Sequence, residues 1–286
     1  MSSQPPDWFR DALATGGVVA TTEHAGVPLV YRRWGGPGPR GIVLIHGAGA
    51  HAGWWDHIAP ALAQRCPVIA LDLSGHGDSG HRPRYAVPLW AEEIEAVMAH
   101  AGFGAGSVLV GHSMGGQPTA VLAQHRGLAL RGVVLLDWVA RDLGPSWRQE
   151  LRSRAQRPHQ PRTTLASAIE TFRPRPRQDV VLPYVLRHIA AQSFRAEAGG
   201  WVLKFDPRTF DRPPLLPADM GLLQYPSLLL RAQRGPLTDE QIALFAAAAD
   251  PDLRVVELVA AQHHVMLDQP LALIAALRTQ LLAWGM

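Results

Sequence analysis

Short apolar runs and longer amphipathic stretches alternate through the first and last parts of the chain. Residues 18–22 and 27–34 read as two strands joined by a turn at Ala25-Gly26. Residues 42–45, 68–73, 108–110, 133–136, 227–231 and 253–258 are further strands, several of them apolar at almost every position. Between them, 54–63, 89–100, 117–124, 239–249 and 271–284 space their apolar residues at helical intervals. Continuous apolar strands belong to a sheet covered on both faces, and the strand–helix rhythm makes that sheet mostly parallel. The pattern predicts an α/β fold of about eight strands flanked by helices. The rhythm lapses between 139 and 218, where prolines, arginines and tryptophans dominate and only 147–157 and 182–192 read as helices. The chain thus divides into an α/β core, residues 1–138 and 219–286, and a mainly helical insertion, 139–218. Such an insertion lies over the carboxyl ends of the strands, where open parallel sheets bind ligands.

Composition narrows the function classes. The 286 residues are 47% apolar, enough for one large α/β domain with an insertion. No apolar stretch reaches the roughly 18 residues of a membrane span, so no membrane partner is expected. The first ten residues are polar, hold two prolines and lack the apolar segment of a signal peptide. A cytoplasmic location is the expectation. Cys66, the only cysteine, precedes the apolar 67–70 run and reads as a buried, inert thiol. The net charge of +3 is uneven: residues 139–218 carry +7 and the remainder −4. A basic insertion above an acidic body would steer an anionic substrate, although a solvated arginine-rich surface has the same composition. Prolines dilute the basic residues and no nucleic-acid-binding motif is present, so nucleic acid is not an expected partner.

The sharpest local signal is Gly111-His112-Ser113-Met114-Gly115, between the apolar 108–110 run and the helix-forming 117–124. A serine between two glycines at a strand-to-helix turn can hold its hydroxyl above the sheet, where a side chain at 111 or 115 would collide with neighbouring backbone. Three other segments accompany it: His46-Gly47-Ala48-Gly49 after an early strand, Asp72-Leu73-Ser74-Gly75-His76-Gly77-Asp78-Ser79-Gly80, and His263-His264-Val265-Met266-Leu267-Asp268-Gln269-Pro270 near the end. Together they resemble the α/β-hydrolase-fold family, in particular small bacterial esterase-type serine hydrolases with a helical cap. The resemblance runs from about Val18 to Trp284. It is specific for the fold and far less so for the substrate.

The resemblance implies a catalytic triad in the chain order serine, acid, histidine. Ser113 is the nucleophile. The family's last-loop histidine stands seven positions before a proline, which from Pro270 points to His263, with the adjacent His264 as the alternative. The acid has two candidate positions. The stretch after the 227–231 strand, which carries the acid in most relatives, has Gly235 at the corresponding place and Asp239 four residues later. Asp137, directly after the 133–136 strand, occupies the other position the fold uses, and it is preferred over Asp239. The oxyanion hole should take one backbone N–H from Met114 and one from Ala48. His46 reads as a loop-packing residue. Trp138, Trp54 and Trp201 are candidate walls of the substrate pocket, with Trp55, Trp147 and Phe205 as further aromatic candidates.

The implied reaction is hydrolysis of a small-molecule carboxylic ester, a lactone or thioester falling within the same chemistry. No cofactor or metal is implied, and the histidines lack ligand spacing such as H-x-x-x-H. Two other functions fit the same residues. The Asp137-Trp138 pair also resembles the cofactor-free dioxygenases that cleave hydroxyquinolones on this fold. A non-catalytic ligand receptor would use the same pocket.

Overall fold

Apolar residues at consecutive strand positions build a sheet with two buried faces. A computed structural model describes residues 4–142 and 144–286. Residues 1–3, in the polar start, and Leu143, in the inserted segment, lie outside the described residues, as does the side chain of Arg126. In chain order the first elements are α1 (Asp7–Thr15), β1 (Val18–His24), β2 (Val27–Trp34), β3 (Ile42–Ile45), α2 (Ala59–Leu62), β4 (Val68–Leu71) and α3 (Val87–His100). Then come β5 (Val108–His112), α4 (Gly116–Ala123) and β6 (Gly132–Leu136). The inserted segment follows with α5 (Gly144–Ala155), α6 (Leu165–Thr171), α7 (Pro183–Gln192), β7 (Phe194–Glu197) and β8 (Gly200–Leu203). The chain closes with β9 (Ser227–Ala232), α8 (Asp239–Ala249), β10 (Arg254–Leu258), α9 (Val265–Asp268) and α10 (Pro270–Ala283).

Eight strands form one sheet in the order β1-β2-β4-β3-β5-β6-β9-β10. β1 and β2 are antiparallel, as are β2 and β4; every later pair is parallel. Successive side chains point to opposite faces. Ile42, Leu44, Val108 and Val110 therefore pack with Leu273, Leu277 and Leu281 of α10, while Val43, Ile45, Leu109 and Val133 pack with Trp90, Ile94 and Val97 of α3. Leu135 and Leu229 meet Phe245 of α8 further along that second face. Among the described residues, no helix is long and apolar enough to cross a membrane.

Local chemistry moved several boundaries. The helix expected over 54–63 is two short pieces, a 3₁₀ turn at Ala52–Trp55 and α2. Gly53 and Pro60 interrupt it, and the His51 side chain accepts from the Gly53 N–H at 3.1 Å, capping the first piece. α5 begins earlier than expected, at Gly144, because Pro145 suits a first helical turn. α1 was not among the expected helices; its Phe9 is buried against Tyr184 of α7, ring centroids 4.8 Å apart. The β7–β8 hairpin was also not expected; Ala198-Gly199 makes its turn, and Gly200, which opens β8, has φ +124°, which a side chain would oppose.

The inserted segment is tied to two loops at the top of the sheet. Leu182 N–H donates to Leu267 O at 2.7 Å, and Gln178 Oε1 accepts from the His264 N–H at 2.9 Å. On the other side, Gly77 N–H donates to Lys204 O and Asp206 N–H to Gly75 O, both at 2.8 Å. That second loop is fastened below by Glu93 of α3. Its fully buried carboxylate accepts from Arg82 Nε at 2.7 Å and from the Ser74 N–H at 2.8 Å. Removing one partner of such a pair strands the other charge, at a cost of about 3–5 kcal/mol. Glu93→Ala should therefore lower the denaturant midpoint sharply in equilibrium unfolding. An unchanged midpoint would show that this pair does not hold the loop.

Candidate active site

Two adjacent parallel strands deliver the first two functional side chains side by side. In the β5–β6 register, Gly111 pairs with Leu135 and His112 with Leu136, so the next residues out are Ser113 and Asp137. Both leave the sheet in the left-handed region, at φ +51° for Ser113 and +50° for Asp137. Non-glycine residues hold that conformation at a cost of about 1–3 kcal/mol, and only where the surroundings enforce it. Around Ser113 the surroundings are tight. A Cβ on Gly115 would lie 2.7 Å from Ile45 O, and one on Gly47 would lie 3.1 Å from Ser113 Cβ. Three further residues bring the chain to the start of α4, whose N-terminal dipole end faces back along this turn.

His263 arrives from the loop after β10. Its Nδ1–H donates to Asp137 Oδ2 at 2.7 Å, and its Nε2 accepts from the Ser113 hydroxyl at 2.9 Å. Asp137 is fully enclosed; its Oδ1 accepts from the Ala232 N–H at 3.1 Å and its own N–H donates to Leu230 O at 2.8 Å. The other acid candidate is elsewhere. Asp239 sits in the first turn of α8, almost fully exposed, and pairs with Arg231. Gly235 explains why the acid can come from β6. A Cβ there would lie 2.9 Å from Asp137 Cγ and nearer still to both carboxylate oxygens. A side chain at 235 and the carboxylate of Asp137 compete for one space.

His264 faces away from the serine. Its Nε2–H donates to Pro176 O at 3.1 Å, and its ring stands edge-on to Trp54, centroids 5.2 Å apart. Burial pushes its pKa down to about 3. Three positioning contacts were not singled out from the sequence. His112 Nε2–H donates to the His263 carbonyl at 2.9 Å, Asp268 Oδ2 accepts from the Gln262 N–H at 2.6 Å, and Gln178 holds the His264 N–H. His112 was adjacent to the serine in sequence, which was the available signal. Nothing in the local sequence around Gln178 marks its role.

Ala48 and Met114, the expected oxyanion donors, both line the cavity that contains Ser113, whose volume is about 400 Å³. His46 holds the Ala48 loop: its Nδ1–H donates to Gly47 O at 2.8 Å, and its Nε2 accepts from the Leu73 N–H at 3.1 Å. Burial lowers its pKa to about 4, which keeps Nε2 an acceptor. Trp138 lines the cavity, as do Trp147 and Phe210. Trp54 and Trp201 do not, which corrects the expectation for both. Trp54 is buried against His264. Trp201 lies on β8, exchanging main-chain hydrogen bonds with Arg162, and packs against the core.

Six buried histidines, His46, His51, His57, His76, His112 and His264, all have pKa values lowered first of all by burial. Above about pH 6.5 they are neutral in folded and unfolded chains alike; below it the unfolded chain takes up protons the folded one refuses. Each then removes about 1.4 kcal/mol of stability per pH unit. Asp72 and Asp268, raised to about 6 by burial, act in the opposite sense between about pH 4 and 6 but are only two. Unfolding free energy should fall as pH drops from 7.5 to 5, measured by urea denaturation at each pH. A flat profile would mean that these imidazoles take up protons in the folded protein.

Known proteins resemble this chain in sequence and in fold. A model of the alpha/beta hydrolase family matches residues 42–277. The chain is 31% identical over 263 residues to Esterase Rv0045c of Mycobacterium tuberculosis, covering 86% of this chain and 84% of that protein. A solved structure of the M. tuberculosis esterase Rv0045c superposes with a TM-score of 0.69 at 25% identity, covering 97% of this chain and 99% of that one. E-2-(acetamidomethylene)succinate hydrolase superposes with a TM-score of 0.78 over 92% of this chain and 98% of its own; at 21% identity this is a likeness of fold. With the family model spanning most of its length, the chain belongs to the alpha/beta hydrolase family and is a carboxylesterase-like hydrolase.

Proposed function

We propose that the protein cleaves a small-molecule carboxylic ester through an acyl-enzyme on Ser113. The observation that carries this reading is the unbroken hydrogen-bond chain from Ser113 Oγ through His263 to Asp137, at 2.9 and 2.7 Å. A serine hydroxyl is a weak nucleophile near neutral pH and needs a base within hydrogen-bond reach. As Oγ attacks the ester carbonyl, His263 Nε2 takes its proton. Asp137 keeps Nδ1 protonated and stabilises the imidazolium that forms. The N–H groups of Ala48 and Met114 receive the developing oxyanion. His263 then protonates the leaving alkoxide, which departs as the alcohol. A water, deprotonated by the same imidazole, attacks the acyl-enzyme and releases the acid with Ser113 restored. Lactones and thioesters fit the same steps. Residues 139–218 act as a cap: Arg141, Trp147 and Phe210 within them face the cavity that Ser113 opens into.

Turnover of p-nitrophenyl butyrate should vanish in Ser113→Ala while the circular dichroism spectrum stays unchanged. Retained turnover would refute the nucleophile. Asp137→Asn should lower kcat about 10⁴-fold through the wrong imidazole tautomer. Gly235→Ala should lower kcat about 10²-fold without touching any reacting group, by displacing the Asp137 carboxylate. Wild-type kinetics in Gly235→Ala would show that this crowding does not reach the histidine. Oxygen uptake with a 3-hydroxy-4-quinolone, coupled to its consumption, would instead support the dioxygenase reading.

A further inference from the structure

The residues that line the cavity above Ser113 include four arginines, Arg141, Arg148, Arg152 and Arg212, against two aspartates, Asp142 and Asp211. Two of the four are engaged. Arg148 pairs with Asp142 at 3.1 Å, and Arg141 Nη1 donates to Pro236 O at 2.8 Å and to Gln241 Oε1 at 3.1 Å. Arg152 is exposed. Arg212 differs from all of them. It follows the 3₁₀ turn at Pro207–Asp211, and its guanidinium stacks over the Trp90 ring at 4.9 Å, with Nη1 donating to Thr209 O at 2.8 Å. The residue as a whole is half-buried, but its Nε is fully shielded and has no hydrogen-bond partner. No carboxylate among the described residues pairs with it, and burial alone lowers its pKa, to about 10, so it stays charged at neutral pH.

A buried charge without a counter-ion is costly, and proteins otherwise pair it. Arg82, which is more deeply buried, has Glu93. Arg212 has only a ring face and one carbonyl, and it borders the cavity that holds the nucleophile. We propose that Arg212 is the subsite for a free carboxylate on the substrate, so that the ester hydrolysed at Ser113 is an anionic one. This rests on the serine-hydrolase reading and names its substrate class. The planar guanidinium fork matches a carboxylate, and the arriving anion supplies the counter-charge that the folded protein lacks. The ester carbonyl sits at Ser113 while the free carboxylate meets Arg212. The site therefore reads both ends of a short molecule and rejects the neutral ester that leaves Arg212 unpaired.

The test compares p-nitrophenyl hexanoate with mono-p-nitrophenyl adipate, which share leaving group and length and differ in the terminal carboxylate. The wild type should favour the adipate at least tenfold in kcat/KM. A 4-carboxyphenyl hexanoate arm, against phenyl hexanoate, reports whether the carboxylate is carried on the alcohol side instead. Arg212→Gln should lower kcat/KM for the preferred anionic ester about thirtyfold and leave p-nitrophenyl hexanoate within threefold, with Arg212→Lys in between. A wild type that prefers the neutral ester in both arms overturns the proposal, whether or not the variants fold. So does a loss in Arg212→Gln that is equal for charged and neutral esters. Calorimetric binding of adipate, present in wild type and lost in Arg212→Gln, reads the subsite without any turnover. If no ester is cleaved, the hydrolase reading fails, and adipate binding alone decides for or against the carboxylate subsite.

Discussion

The β5–β6 register is the constraint on which the site depends. One-residue slippage in either strand would invert the side-chain faces and separate Ser113 from Asp137. The register is fixed from below by burial: Val108, Val110, Val134 and Leu136 belong to one core face, and Leu109 and Val133 to the other. The two strands then end in the same way, each turning into the left-handed region at its functional residue. Core packing far from the chemistry thereby sets a geometry that must hold to a few tenths of an ångström. The histidine has no such strand to hold it. It sits on a loop, and the loop is fastened by side chains instead, through His112 to its carbonyl and Asp268 to the Gln262 amide.

Buried polar groups in this part of the molecule divide by whether the fold satisfies them. His46 spends both ring nitrogens on backbone groups, and Asp72 accepts from the Ala52 N–H at 2.6 Å and the Asp78 N–H at 2.9 Å. These contacts pin the loops around the cavity and are complete without substrate. Asp137 is likewise complete, with one oxygen on Ala232 and the other on His263. Arg212 is incomplete: its shielded Nε has no partner. A structural network with an unspent cationic donor is expensive in a low-dielectric interior, and the expense is tolerable where a ligand completes it.

Most of the sheet was legible in the sequence because a parallel strand buried on both faces leaves a continuous apolar run, as in 42–45 and 227–231. Ser113 was legible because the turn requires glycines on both sides. The inserted segment was less so. α6 and the β7–β8 hairpin are short, and their packing comes from contacts with α7 and the core rather than from periodicity. The pocket walls were the weakest reading. A tryptophan in sequence carries no direction, and Trp54 and Trp201 turned into the core while Trp147 and Phe210 turned into the cavity. Arg212 was one of many basic residues in a basic segment. Its place on the cavity wall with a shielded, unpartnered Nε sets it apart, and that is a property of three dimensions.

The position of the acid links catalysis to specificity in this chain. An acid after β9 would leave the residues after β6 free to vary. Here Asp137 is followed at once by Trp138 and Val139, and then by Arg141, all of which line the cavity. Trp138 also packs on Gly116, where a Cβ would lie 2.8 Å from its ring, and edge-on to Phe245 of α8. The segment that orients the imidazole is therefore the segment that shapes the substrate wall, and Asp137 is already in a costly backbone conformation. A change in the wall at Trp138 is transmitted to the carboxylate one residue away, so pocket and triad cannot be retuned independently. Gly235 completes this coupling from the other side. It vacates the position from which a β9 acid would act, and the empty space is the one the Asp137 carboxylate fills.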